Sequence, residues 1–104
     1  MNSLRELEPW LYAWARYLVQ LAAPYGAVVT SVRRSAAQQA RLYHNFVVGA
    51  SRYPAAPPGR SMHQVGRAFD LAASPWLLAE LGQLWESWGG RWGGRAGDPI
   101  HFEG

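Results

Sequence analysis

At 104 residues and 49% apolar side chains, the chain is expected to fold as one domain over residues 1–104 with an ordinary buried core, which excludes a mostly disordered chain. It has no cysteine, so no disulfide framework can form and any bound metal must be held by nitrogen and oxygen atoms. All ten basic residues are arginine and only Arg33 and Arg34 are adjacent, so the net charge of +3 is a mild bias toward anionic partners without the basic stripe of a nucleic-acid binder; no nucleic-acid partner is expected.

No stretch approaches the ~20 apolar residues of a membrane span. Met1-Asn2-Ser3-Leu4-Arg5-Glu6 lacks a basic run followed by an apolar core, so no secretory signal is read there. Ser3 followed by Glu6 matches a capping box, and Pro9 suits a first helical turn, so a helix can start at either signal. Trp10, Leu11, Trp14, Tyr17, Leu18 and Leu21 then recur at helical spacing and predict one buried face, ended by Pro24-Tyr25-Gly26. Ala27–Ser31 is rich in β-branched residues and reads as a short strand. Ser35 is a cap for a second helix through Ala36, Gln39, Leu42, Tyr43 and Phe46. His44 lies on that helix without a partner at metal-ligand spacing and reads as a surface histidine.

Residues 49–60 form a Pro/Gly-rich loop of a kind that often borders binding sites. After the loop, turn and strand of Ser61–Leu71, Ser74-Pro75 starts a third helix with Trp76, Leu77, Leu81, Leu84, Trp85 and Trp88 on its inner face. Gly89-Gly90 stops it, and a glycine-rich tail ends in a strand-like His101-Phe102-Glu103. Three helices and about three short strands that do not alternate strictly predict an α+β domain with a small antiparallel sheet.

Polar residues are out of keeping with their neighbourhood in two places. Asp70 sits inside Ala68-Phe69-Asp70-Leu71-Ala72, where a buried carboxylate is costly without a cation or good donors. His63 precedes it, and Asp98-Pro99-Ile100-His101 supplies another of each type. His63, Asp70 and His101 make a two-histidine, one-carboxylate set of the kind that holds zinc with a position left for water, and Asp98 remains as a base. An extended chain would put His63 and Asp70 on opposite faces; Gly66 permits a turn that returns Asp70 toward His63, and Pro99 permits a bend that brings Asp98 and His101 together. Spacing alone leaves open a loop histidine, a strand-end acceptor and an Asp-Pro turn.

Ser61-x-His63-x-x-Gly66-x-Ala68-x-Asp70 resembles the signature of the zinc D,D-peptidase superfamily. That superfamily includes VanY-type D-alanyl-D-alanine carboxypeptidases, endolysin-type L-alanyl-D-glutamate endopeptidases and the hedgehog-like fold. Thr30–Ser35 with Gln39, Leu42 and Tyr43, Pro58-Gly59, Trp92-Gly93-Gly94 and the closing Asp98-x-x-His101-Phe102-Glu103 extend the resemblance, in order, over most of the chain. The resemblance implies a single catalytic domain acting on the peptidoglycan stem peptide, with His63, Asp70 and His101 as Zn2+ ligands and Asp98 as catalytic base. It implies that Arg34 binds substrate or steadies the oxyanion, that Ser61 hydrogen-bonds the substrate or supports the ligands from behind, and that Gln39 is a structural or substrate-binding cleft residue; Trp92 is either a substrate-binding cleft wall or a core aromatic. Aspartate at position 98, where the carboxypeptidases carry glutamate, is closer to the endopeptidases.

The expected activity is therefore cleavage of a stem-peptide amide by a monomer, with D-alanyl-D-alanine carboxypeptidase activity or a non-catalytic wall-binding module as alternatives. A wall substrate would be reached by phage lysis-type release or separate export. A small basic nucleic-acid binder rests only on charge and aromatic content.

Overall fold

The computed structural model describes residues 3–104. Both start signals near the N-terminus are used, by different elements. Ser3 Oγ accepts from the Arg5 N–H at 3.2 Å and opens a 3₁₀ turn, Leu4–Glu6, while Pro9 starts helix α1, Pro9–Ala22. Strand β1 is Val28–Ser31, helix α2 Ala36–Val47, strand β2 Ala68–Ala72 and helix α3 Pro75–Ser87; strands β3, Arg91–Trp92, and β4, His101–Glu103, close the chain. The strands form one antiparallel sheet in the order β1-β2-β4-β3, which bears out the α+β expectation.

Strand periodicity divides this sheet into two faces, with one irregularity in β1 between Val29 and Ser31. Val29 faces Leu71, Phe69 faces Phe102, and Trp92 faces Phe102 on the apolar side. One residue out of phase along β2, β4 and β3, Asp70 faces His101 and Arg91 faces Glu103; Ser31, two residues beyond Val29, faces Asp70 because the register shifts between them. The apolar side packs under α1 and α3, where Phe69 stacks on Phe102 at 5.5 Å and meets Trp85 edge-on at 5.3 Å. Full burial of each such side chain contributes about 1.5–3 kcal/mol.

The inner face of α1 differs from the expected one. Leu11, Ala15, Leu18 and Ala22 are buried, whereas Trp10, Trp14 and Tyr17 are more than half exposed and Leu21 is also exposed. Small alanines let α1 approach its neighbours closely, which leaves no room for indole rings on that stripe. Trp14 and Tyr17 instead pack on Trp88 at 5.7 and 5.5 Å on the flank. In α3, Leu77, Leu78, Leu81, Gly82 and Trp85 are buried; Trp76 turns outward to meet Tyr25 edge-on. Ser74 holds the cap position of α3 without a side-chain bond.

Helix α2 starts as read, in a full capping box: Ser35 Oγ accepts from Gln38 N–H, and Gln38 Oε1 from Ser35 N–H. Its buried residue is Gln39, while Leu42 and Phe46 remain partly in solvent. This helix is a wall on the polar side of the sheet and no part of the core. No helix among the described residues is long and apolar enough to cross a membrane.

Candidate metal centre

Ser61 Oγ accepts from the His63 N–H at 3.2 Å and caps a 3₁₀ turn, Met62–Val65. Gly66 then takes the left-handed conformation at φ 70°, and its carbonyl receives Glu8 N–H at 2.9 Å. A side chain at this position would be strained by the backbone, and its Cβ would lie 2.9 Å from the Glu6 carbonyl oxygen and 2.6 Å from Arg33 Nη2. The turn reverses the chain, so that Asp70, in the buried strand β2, looks back at His63.

His101 arrives by a different route. It is the cross-strand partner of Asp70, so adjacent antiparallel strands bring the two side chains within reach. Ahead of it, the Asp98–His101 turn is closed by His101 N–H to the Asp98 carbonyl at 3.1 Å and Asp98 N–H to the Gly93 carbonyl at 2.9 Å. Gly93 permits this approach, since a Cβ there would lie 2.5 Å from the Asp98 carbonyl oxygen. Trp92 supports the turn through Nε1–H to the Pro99 carbonyl at 2.8 Å.

The three candidate ligands meet at single atoms: His63 Nε2 to Asp70 Oδ1 is 3.1 Å, His63 Nε2 to His101 Nδ1 is 3.3 Å, and His101 Nδ1 to Asp70 Oδ1 is 3.4 Å. A tetrahedral ion bound at ordinary zinc–nitrogen lengths has ligand–ligand edges of about 3.3–3.4 Å. The remaining ring nitrogens identify the tautomers. His63 Nδ1 faces the Val32 carbonyl, which can only accept, and His101 Nε2 faces Glu103 Oε1 at 2.8 Å. Both rings therefore carry a hydrogen on the outer nitrogen and, when neutral, turn a lone pair toward Asp70 Oδ1. Outer-nitrogen bonds to a carbonyl and a carboxylate are the usual supports of metal-ligating histidines. Three ligand atoms converging on one point form a site that could hold a metal ion once both imidazoles are neutral, and the donor set fits zinc.

The charges respond accordingly. Burial works to raise the Asp70 carboxyl, but bonds from His101 and His63 and the charges of His63 and Arg34 outweigh it and hold Asp70 well below the usual carboxylate range. Burial works to lower His101, but Asp70 and Glu103 outweigh it and push it up to about 9. Asp98 is raised, chiefly by burial. Glu103 is lowered, chiefly by its bond to His101.

A cleft of about 520 Å³ opens over the three ligand atoms, with Arg34, Gln39, Ser61, His63, Asp70, Asp98 and His101 on its lining. Arg34 donates from Nε to Ser31 Oγ at 3.0 Å, from Nη1 to Gln39 Oε1 at 3.2 Å and from Nη2 to Asp70 Oδ2 at 2.6 Å. Gln39 passes this support on to the 49–60 loop through the Ala56 carbonyl at 2.8 Å. Trp92 is not on the cleft; it lies beneath the Asp98 turn, against Gly82 of α3. His44 is exposed and outside the ligand group. Sequence reasoning missed Glu103 as the brace of His101, although two residues along a strand share a face. It also missed the Val32 carbonyl, which no side-chain pattern reveals, and Arg60, another residue of the cleft.

Among solved structures, the chain is similar to the L,D-carboxypeptidase DacB of Streptococcus pneumoniae, with 22% identity over 93% of this chain and 65% of that one at a TM-score of 0.66. It is similar to the L-Ala D-Glu endopeptidase ChiX of Serratia marcescens, with 24% identity over 96% of this chain and 81% of that one at a TM-score of 0.66. The LD-carboxypeptidase LdcB matches at 30% identity over 73% of this chain and 53% of that one, with a TM-score of 0.50. The chain thus spans just under two thirds of DacB and about half of LdcB. No family model matches it, and no curated protein sequence does. The fold is that of the peptidases the sequence motifs resemble.

Proposed function

We propose that this chain, which has the fold of the zinc D,D-peptidase superfamily, is a zinc-dependent peptidase that hydrolyses an amide bond of the peptidoglycan stem peptide. The observation that carries this reading is the convergence of His63 Nε2, Asp70 Oδ1 and His101 Nδ1 on the floor of a cleft that also contains Asp98. Zinc held by these three atoms would polarise a scissile carbonyl and acidify a water beside it.

The chain's own groups supply the rest. Asp98 takes a proton from the attacking water as the C–O bond forms and returns it to the leaving amine as the C–N bond breaks; its burial-raised pKa suits a group that must both accept and release a proton. Arg34 has used three of its five N–H groups and presents the other two to the oxyanion or a substrate carbonyl. Glu103 and the Val32 carbonyl keep both imidazoles in the tautomers that leave the inner nitrogens free. Ser61 contributes a hydroxyl to the cleft, and Gln39 positions Arg34.

Cleavage between L-alanine and D-glutamate is favoured by aspartate at position 98, through the motif resemblance, and by the likeness to ChiX. A carboxypeptidase reading is supported by the likeness to DacB and LdcB. Incubating purified peptidoglycan with the zinc-loaded chain and weighing the products by mass spectrometry tests both, because product masses identify the bond. New amino termini should appear, and should vanish with chelator and with Asp98→Ala. Binding of wall fragments without any cut would instead make this a recognition module.

A further inference from the structure

Of the ten arginines, Arg16, Arg41 and Arg60 have no side-chain partner among the described residues. Arg60 alone of these lines the cleft. Its backbone is well fixed: Arg60 N–H donates to the Pro57 carbonyl at 3.1 Å, and the preceding Gly59 N–H donates to Gln64 Oε1 at 2.7 Å. The next residue is Ser61, which caps the turn carrying His63. An uncommitted guanidinium therefore hangs from a backbone anchored to the metal centre, so only its side chain remains to be ordered when an anion arrives. The other cleft guanidinium, Arg34, is already bonded to Ser31, Gln39 and Asp70.

The surroundings select the anion. The rest of the lining, including Leu42, Tyr53, Pro54 and Ala55, adds no further arginine, and the cleft already contains the carboxylates Asp70 and Asp98. Asp70 is already paired with Arg34, so a dianion such as phosphate would meet one free guanidinium and the negative charge of Asp98. A carboxylate matches the two-pronged geometry of a single guanidinium and brings one charge. We propose that Arg60 is a specificity-determining residue that binds a free carboxylate on the substrate peptide, an inference that rests on the peptidase reading above. A stem peptide with lysine as its diamino acid, the type used in the test, offers that chemistry at two places: the α-carboxylate of a γ-linked glutamate and the C-terminus.

The test uses the zinc-loaded chain with four synthetic stem peptides: the free acid, the α-amide, the C-terminal amide and the diamide. Cleavage is read as kcat/KM on the unaltered chain, and binding is read by calorimetry on Asp98→Asn, so affinity is measured whether or not a bond is cut. One of the two single amidations is expected to lower kcat/KM and affinity about tenfold, and its position identifies the carboxylate. Arg60→Gln should lose the same factor on the acid and stop discriminating acid from amide; Arg60→Lys should recover part. Zinc content and thermal midpoint should not change in either variant. Discrimination that survives Arg60→Gln overturns the inference, as does equal binding of all four peptides. Cleavage without carboxylate preference removes Arg60 and leaves the peptidase; carboxylate-dependent binding without cleavage does the reverse. Neither binding nor cleavage removes both.

Discussion

Along β2, β3 and β4, residues one step out of phase belong to two different regions, and the register shift in β1 sets Ser31 in the second of them. Val29, Phe69, Leu71, Trp92 and Phe102 meet α1 and α3 on one face, while Ser31, Asp70, His101 and Glu103 line up on the other with Arg34 and Gln39 over them. The apolar face is held by area removed from water, which is non-directional and tolerates exchange of one hydrocarbon shape for another. The polar face leaves no buried side-chain nitrogen or oxygen unpartnered among the described residues, yet it gathers three potential ligand atoms at one point. The contrast teaches that this sheet separates stability from chemistry by a shift of one residue. Substitutions on the two faces should therefore fail in different assays.

The largest effects test that separation directly. Asp98→Asn should lower peptide cleavage by about 10²–10⁴-fold. Because burial disfavours its charge, the same change should leave the thermal midpoint level or higher. Trp85→Ala, on the apolar face, should cost about 3–5 kcal/mol in denaturant unfolding while the folded fraction keeps its zinc affinity. A large midpoint loss in Asp98→Asn, or a zinc defect confined to folded Trp85→Ala, would break the comparison.

Gly66→Val comes next. A β-branched residue at φ 70°, pressed against the Glu6 carbonyl, should cost about 2–3 kcal/mol and weaken zinc binding, although Gly66 lies outside the ligand group. Calorimetric titration with zinc checks it; unchanged affinity would detach the turn from the site.

A pH series sharpens the contrast. In chelated protein His101 sits at about 9, above its ordinary 6.5, so its contribution is complete below pH 6.5 and is lost as pH rises through about 9. Asp70, held low, contributes above the ordinary carboxylate range and loses its contribution in acid. Chelated protein should thus lose on the order of 2 kcal/mol of stability across the alkaline range. His101→Ala should flatten that slope, and Trp85→Ala should keep it. Zinc uptake must displace the His101 proton, so stabilisation by zinc should grow as pH rises. The smallest effect is expected for Glu103→Gln, about tenfold in zinc affinity, because an amide oxygen still accepts the His101 hydrogen only in one of its two orientations.

Much of this was legible before folding was considered. Ser61, His63, Gly66 and Asp70 announced a turn followed by a strand, and the helix starts at Pro9, Ser35 and Pro75 were marked by caps and prolines. The inner face of α1 was not, because large aromatic residues dominate a periodicity count while Ala15 and Ala22 decide how closely the helix can pack. Asp70 and His101 were grouped as ligands, but the strand register that brings them together was invisible for another reason: it joins residues 31 apart, by 101 less 70, and no local pattern encodes it. The sequence likewise could not place Trp92 beneath the Asp98 turn, since wall and core favour the same residue.

The central claim is that the polar face is built around a bound metal ion. Zinc titration of the chelated chain, followed by calorimetry and elemental analysis, tests it most directly, with His63→Ala, Asp70→Ala, His101→Ala and His44→Ala alongside. The account predicts one tightly held zinc ion per chain, lost in each of the first three variants and retained in His44→Ala, with all four folded. A folded chain that takes up no zinc, or stoichiometric zinc that survives Asp70→Ala unchanged, would contradict it.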